Sequence, residues 1–442
     1  MWKVQLFKLN YDDAEPNAVE EVVRSGWITM GEKTKEFESE FAALLGNEAK
    51  VAAVSNGTAA LHLALLALGI GSGDEVIIPS LTFVADINTV LLVNAKPVLA
   101  DCRSLEDWNM DPADIERKIT PQTKAVMIVH YAGYPCDMDA IMDICKRHNL
   151  RLIEDCAHAP GAKYKGQAVG TFGDIGCFSF FTNKNLSMGE GGAVTTTSAQ
   201  MDQEMRYVRA HGMTALTLDR HKGRAISYDV VRPGLNYRID EMRAAIGLAQ
   251  LAKLPEAHRS RAHIVSRYID AFKDIEGLTL PFLDQTETEP VYHIFPTMLP
   301  DGIDRMKVIE ILKREGVQSS IHYPMMQDFS AFKGFQLDET PIAREISHLQ
   351  YLVENGLVGL ILFLTPVFLV VRNSFRKLKR GLAGRDLNAG FAFEMAAFCF
   401  FINIFFVNIL GAPLFFVMLG FVVSQKYDLD GQRLVRENVP CS

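Results

Sequence analysis

Short, nearly uninterrupted apolar runs spaced by helix-length segments constrain the first part of this chain most. "VAAVS" (Val51–Ser55), "EVIIP" (75–79), "KPVLAD" (96–101), "AVMIVH" (125–130) and "RLIED" (151–155) each have the length of a strand. Helical patterns near 83–93, 112–118 and 138–148 separate them, and Thr58–Leu68 carries Leu61, Leu65 and Leu68 on one face. A strand that is apolar on both faces has no solvated side, so the pattern predicts a parallel sheet covered by helices on both faces. In such sheets ligands collect at the carboxyl ends of strands. Further on, Asp240–Leu254 and Arg259–Phe272 read as two long helices and Asp304–Glu315 as another, which suits a smaller α/β unit. No internal repeat is visible.

Charge and cysteine content narrow the function classes. Lys and Arg number 45 against 53 Asp and Glu, a net charge of −8. That balance argues against a nucleic-acid partner, because phosphate neutralisation needs clustered cations. Seven cysteines, at 102, 136, 145, 156, 177, 399 and 441, show no zinc-type C-x2-C spacing, and no metal site is expected. Their odd number suits a reducing compartment. "MWKVQLFKLNYDDAEP" lacks the apolar core of a secretory signal, so the catalytic part is expected in the cytoplasm.

Three stretches carry chemistry. In "SNGTAALHLAL" (Ser55–Leu65) a strand ends, Gly57 permits a tight turn and a helix begins at Thr58. Amides at a helix N-terminus favour a phosphate; the bland alternative is an ordinary capped helix. In "RLIEDCAHAPGA" a strand brings Glu154 and Asp155 to its carboxyl edge, with His158 close behind. A carboxylate there can keep a pyridinium nitrogen protonated, or can simply cap the next turn. Cys156 and Cys177 offer His158 no convincing nucleophile pairing. In "CFSFFTNK" an apolar strand leads into Lys184, ahead of the glycine-rich turn "GEGG" at Gly189–Gly192. Desolvation among aromatics lowers a lysine's pKa, and a neutral amine attacks an aldehyde; the alternative is a lysine snorkelling from a strand end. A phosphate cradle, an acid at a strand end and a lysine on a neighbouring strand are together what pyridoxal phosphate requires.

These stretches, with "PSLTFVAD" and "YDVVRPGLNYRIDEMRAAIGLAQLAKL", resemble the DegT/DnrJ/StrS-type sugar aminotransferases from about Gly26 to Ser347. The resemblance implies fold type I of the pyridoxal-phosphate enzymes (aspartate-aminotransferase-like) and a homodimer with active sites at the subunit interface. It implies a large cofactor-binding domain over 1–250 and a small, truncated domain over 251–347. By motif, Lys184 is the lysine that bonds the cofactor aldehyde and shuttles protons. Asp155 pairs with the ring nitrogen, and His158 with the ring face or 3-hydroxyl. Gly57, Thr58, Ala59 and Ser179 hold the phosphate, Asn236 reaches it from the partner subunit, and Phe83 stacks on the ring. Trp27, Thr29, His322 and Tyr323 line the substrate entry. The implied reaction moves an amino group from L-glutamate to a nucleotide-linked keto-deoxysugar, an NDP-4-keto-6-deoxyhexose, for surface-polysaccharide or O-antigen synthesis. Lysine at 184 sets the chain apart from the family's dehydratase-like branch, which has histidine there.

Beyond Ser347 the chain leaves the family pattern. "GLVGLILFLTPVFLVV" (Gly356–Val371) carries no charge, and the apolar stretch Ala389–Val423 carries only Glu394. Residues 352–424 therefore read as a hydrophobic helical tail of two or three spans, resembling the last spans of an O-antigen ligase or polymerase, which would hold the enzyme at the inner membrane. The loop between them holds Arg372, Arg376, Lys377, Lys379, Arg380 and Arg385, and positive loops stay in the cytoplasm. One span before that loop would put the catalytic part outside, away from its substrate. The conflict disappears if the first segment is re-entrant or buried, or if the tail was joined to a truncated enzyme, which is the favoured reading. The alternative function is a non-catalytic, membrane-associated assembly protein that carries a truncated aminotransferase domain.

Overall fold

A computed structural model describes residues 2–46, 48–215, 217–223 and 225–354. The five apolar runs form strands β1 (Lys50–Val54), β2 (Glu75–Pro79), β3 (Lys96–Ala100), β4 (Thr123–Val129) and β5 (Arg151–Asp155). Two-residue strands β6 (Lys163–Tyr164) and β7 (Gln167–Ala168) follow, then β8 (Ile175–Ser179) and β9 (Gly192–Thr196). Seven of these make one sheet in the order β1-β9-β8-β5-β4-β2-β3. Pairing is parallel from β8 through β5, β4 and β2 to β3.

The all-parallel expectation needs one correction. β9 runs antiparallel to both β1 and β8, between them. The chain returns from β8 to β9 without a crossover helix, and only a crossover would bring the next strand back parallel. β9 also lies against the backbone of Asn56: a Cβ on Gly192 would stand 2.5 Å from the Asn56 carbonyl oxygen, so only glycine fits there.

Strand alternation shows that both faces are covered. Val76 and Ile78 of β2 and Met127 of β4 join one core with Leu61 and Leu65 of the helix Gly57–Ala67. Ile77 of β2 and Val126 and Ile128 of β4 join another with Ile141 and Ile144 of the helix Met138–His148. Each such side chain contributes about 1.5–3 kcal/mol by leaving water, so register is fixed from both sides. Near β1 and β8 the second face is aromatic. Phe41 meets Phe178 and Phe180 edge-on at 5.0 and 5.3 Å between ring centroids.

The helices Ala85–Leu92, Pro112–Arg117 and Met138–His148 stand where the sequence places them. The two helices expected on either side of Pro255 are instead one, Glu241–Phe272, with the proline inside. A proline removes one amide and strains one turn. Here Leu254 on one side and Val265, Tyr268 and Phe272 on the other are all buried, and that packing holds the two halves as one rod.

β10 (Thr288–Glu289) pairs with β6, and β11 (Ile294–Met298) pairs antiparallel with β12 (Gln350–Glu354). Helices Arg305–Arg314 and Pro341–Leu349 lie between β11 and β12 in sequence. The departure expected at Ser347 is thus later than the sequence suggests: the last helix runs on to Leu349 and a paired strand follows. Leu352 and Val353, read as the start of the hydrophobic tail, belong to that strand. From residue 355 the tail, its basic loop and its likeness to O-antigen ligases lie outside the described residues. Among the described residues no helix is long and apolar enough to cross a membrane.

Candidate active site

Strand ends and one helix end meet around a cavity of about 610 Å3. At one wall β1 gives way to Asn56, whose side-chain Oδ1 accepts the Ala59 amide at 2.8 Å and caps the helix Gly57–Ala67. The first amides of a helix have no carbonyl a turn earlier. With the Ala59 amide taken by Asn56, those of Gly57 and Thr58 remain as first-turn donors beside the exposed Thr58 hydroxyl. Ser179, the last residue of β8, faces them.

β5 ends on Glu154 and Asp155, and strand alternation sends the two carboxylates to opposite sides. Glu154 is fully buried and accepts the amides of Gly170, Phe172 and Gly173 at 2.7, 2.8 and 2.7 Å. It also meets His130 Nε2 at 3.2 Å, while His130 Nδ1 accepts the Cys136 amide. His130, Glu154 and Cys156 lie close enough to suggest a metal site, but these hydrogen bonds already occupy the histidine and the carboxylate. Asp155 lines the cavity, and its Oδ1 accepts the Ala157 amide at 2.7 Å. Burial raises its pKa above the usual carboxylate range, and the Ala157 amide and the nearby Lys184 ammonium offset only part of that rise.

His158 is buried, and its Nδ1 accepts the Ala132 amide at 3.2 Å, which places the ring proton on Nε2. Nε2 donates to the Tyr323 hydroxyl at 3.1 Å. Burial, with Lys184 and His322 adding to it, holds this imidazole neutral, well below the usual histidine range. His322, also held down to about 4 by burial and Lys184, lines the same wall as Tyr323. Phe83 stands on another side of the cavity, 54 % exposed, with the Tyr323 ring 5.7 Å away. An aromatic ring of that size left uncovered inside a cavity is a face waiting for a flat partner. Burial pushes the thiols of Cys156 and Cys177 well above their usual pKa, which removes them as nucleophiles.

Lys184 lines the cavity as the sequence expects, but not from a strand. β8 stops at Ser179, and Lys184 sits in the following turn, its amide donating to the Phe181 carbonyl at 2.8 Å. Phe180 packs inward, whereas Phe181 is exposed, so the lysine leaves the aromatic core rather than lying within it.

Gly57, Thr58, Ala59, Phe83, Asp155, His158, Ser179, Lys184, His322 and Tyr323 all border this one cavity. Two residues expected at the site do not. Asn236, expected to serve the partner's cavity, is exposed and bridges Ala210 off this one, and its neighbour Tyr237 stands on the wall, its hydroxyl 2.8 Å from His62 Nδ1. Trp27 and Thr29 lie elsewhere, Trp27 against His221 at 4.8 Å. Their segment is pinned by Glu241, which accepts the amides of Gly31, Lys33 and Thr34 at 2.7, 2.7 and 2.9 Å. Sequence reasoning passed over Asn56, Thr82, Asn183, Glu190 and Tyr237 on the wall. Only Asn56 carried a signal, as an N-cap residue directly before Gly-Thr.

The chain matches the DegT/DnrJ/EryC1/StrS aminotransferase family over residues 10–351. It belongs to that family. The spore coat polysaccharide biosynthesis protein SpsC of Bacillus subtilis is 39% identical over 314 residues, which cover 70% of this chain and 80% of SpsC. Among solved structures, the PLP form of the putative sugar aminotransferase Spr1654 from Streptococcus pneumoniae superposes with a TM-score of 0.76 at 28% identity, covering 82% of this chain and 97% of that one. Helicobacter pylori PseC, an aminotransferase involved in pseudoaminic acid biosynthesis, superposes with a TM-score of 0.77 at 26% identity, covering 84% and 99%. This DegT/DnrJ/EryC1/StrS member is a PLP-dependent aminotransferase of the sugar-aminotransferase type. The family match ends before the hydrophobic tail, and the likeness of that tail to O-antigen ligases gains no support from it.

Proposed function

We propose that this enzyme transfers the amino group of L-glutamate to the ketone of a nucleotide-linked deoxysugar, an NDP-4-keto-6-deoxyhexose, in surface-polysaccharide synthesis, and that it works as a homodimer. The observation that carries the proposal is the convergence of Lys184, Asp155 and the helix N-terminus at Gly57 on one cavity. The residues present fit pyridoxal phosphate. A Cβ on Gly57 would stand 2.7 Å from Ser179 Cβ, so glycine keeps the cradle open, and Phe83 offers an uncovered ring face.

The Gly57 and Thr58 amides and the hydroxyls of Thr58 and Ser179 hold the phosphate. Asn236, exposed and off its own chain's cavity, adds a contact in the partner's site. Phe83 would cover one ring face, and Asp155 would hold the proton on the ring nitrogen. When bound, the cofactor supplies an aldehyde for amine attack and a ring that takes up electrons. Lys184 Nζ would be the amine that holds the cofactor through its aldehyde, and the same amine would be placed to take and return a proton at the reacting carbon. His158, neutral and tethered by Ala132, keeps the Tyr323 hydroxyl in place at the sugar side. Trp27 and Thr29 serve the substrate entry of the assembled dimer rather than the wall described above. The alternative of a non-catalytic assembly protein runs against the family match over 10–351.

The test is a half-reaction on the cofactor-loaded full chain. Glutamate should yield about one equivalent of 2-oxoglutarate per subunit, and the nucleotide keto-sugar should then be aminated. A loaded, folded protein that leaves both substrates unchanged overturns the proposal.

A further inference from the structure

Asp86 stands in the first turn of the helix Ala85–Leu92 and is completely buried. Its Oδ2 accepts the Thr82 hydroxyl at 2.5 Å. Its Oδ1 is enclosed, and among the described residues no hydrogen-bond donor reaches it. What it faces is another acid: Thr82, which donates to it, and its helix neighbour Ala85 border the same cavity as Asp155, and the Asp155 carboxyl is the group that bears on it there. Both also bear on Cys177, the residue of β8 that pairs with Asp155 in the sheet. Two neighbouring buried carboxylates cannot both be charged, because neither can shed its charge into water. One proton must lie between them.

We propose that Asp86 is a neutral carboxylic acid whose Oδ1–H donates to Asp155, making Asp86 the positioning residue for the carboxylate that serves the cofactor ring. The surroundings say which member holds the proton. Burial and the adjacent Asp155 drive Asp86 well above the usual carboxyl range. Burial raises Asp155 as well, but the Ala157 amide, the Lys184 ammonium, the hydrogen bond from Asp86 and His130 all favour its charged form. Thr82 donates to Asp86 Oδ2, which leaves Oδ1 as the oxygen that carries the hydrogen. The pair therefore bears one negative charge, matched to one ring proton, and Asp155 is fixed from two sides by Ala157 and Asp86. A lone Asp155 would be free to turn and would be a stronger base. The pairing itself stands on the two carboxyls; its effect on the cofactor rests on the function proposed above.

The test uses the full chain and reads the pair directly. Infrared difference spectra of the cofactor-free protein at pH 7.5 should contain a protonated-carboxyl band that disappears in Asp86→Asn. In Asp155→Asn the band should remain but move, since its acceptor changes from a carboxylate to an amide. Cofactor retention is the second readout. Asp86→Asn keeps a neutral donor and should hold pyridoxal phosphate within about threefold of wild type, whereas Asp86→Ala should lose about tenfold, the scale of one hydrogen bond. A wild-type spectrum whose protonated-carboxyl band is unaffected by Asp86→Asn and Asp155→Asn overturns the proposal, as does equal cofactor retention in Asp86→Asn and Asp86→Ala. Because the infrared arm needs no cofactor, a protein that shows the band yet binds no pyridoxal phosphate would refute the proposed function and leave the pair intact.

Discussion

Gly57 and Ser179 approach so closely that a Cβ on residue 57 would stand 2.7 Å from the serine's own Cβ. The start of the first crossover helix and the end of β8 are therefore held in register by the absence of a side chain. Gly57→Ala must push the helix N-terminus away from Ser179, while the buried leucines deeper in the helix hold the fold. We expect pyridoxal-phosphate affinity to fall by about tenfold or more, the equivalent of about 1.4 kcal/mol, with little loss of secondary structure. Equilibrium dialysis against the cofactor and circular dichroism measure the two effects.

Asp155 is set to act through its charge, so Asp155→Asn should fold and lose turnover. The expected drop in kcat is on the order of 10²- to 10³-fold, the scale on which one preorganised electrostatic contact registers. Steady-state transamination checks it, and a variant within about tenfold of wild type would remove Asp155 from the chemistry.

Much of this site was legible because its parts are local. "SNGT" announces a capped helix after a strand, "RLIED" ends on the acid, and Lys184 precedes a glycine turn. What escaped depends on approach between distant segments. Tyr237 reaches the wall only because the Ser55 amide donates to the Tyr237 carbonyl at 2.9 Å. Asp86 meets Asp155 from a helix two strands away in the sheet order. β9 has a strand's composition, but its direction is set by a return without a helix, and nothing in "GGAVTT" states that. Pro255 reads as a stop because propensity is local, and burial on both sides overrides it. The segment Gly31–Thr34, which follows Trp27 and Thr29, is held by Glu241, more than two hundred residues away, through contacts that motif spacing does not encode.

Glu241 offers a stability prediction. It is buried and accepts three backbone amides and the Thr34 hydroxyl, the last at 2.6 Å. Glu241→Ala strands those donors and should cost about 2–4 kcal/mol. A urea titration would show it as a lowered midpoint, and an unchanged midpoint would mean that the Gly31–Thr34 segment is held by something else.

Stability should also fall on mild acidification. His158 and His293 are held neutral by burial, and burial lowers His258 and His322 to about 4. Unfolded, each returns toward 6.5. Below that pH the unfolded chain binds protons that the folded chain refuses, so stability drops as pH falls. Each histidine adds up to about 1.4 kcal/mol per pH unit. For His258 and His322 the loss is complete near pH 4. Urea midpoints at pH 7.5, 6.5 and 5.5 should show a plateau and then a decline; equal midpoints at 6.5 and 5.5 would contradict it.

The central claim is a covalent one: Lys184 Nζ is the amine that takes the cofactor's aldehyde. Borohydride reduction of the cofactor-loaded full chain, followed by peptide mapping, tests it most directly. The account predicts the reduced pyridoxyl group on Lys184, and its absence in Lys184→Ala. A folded, loaded protein whose label maps to another lysine, or to none, would contradict it.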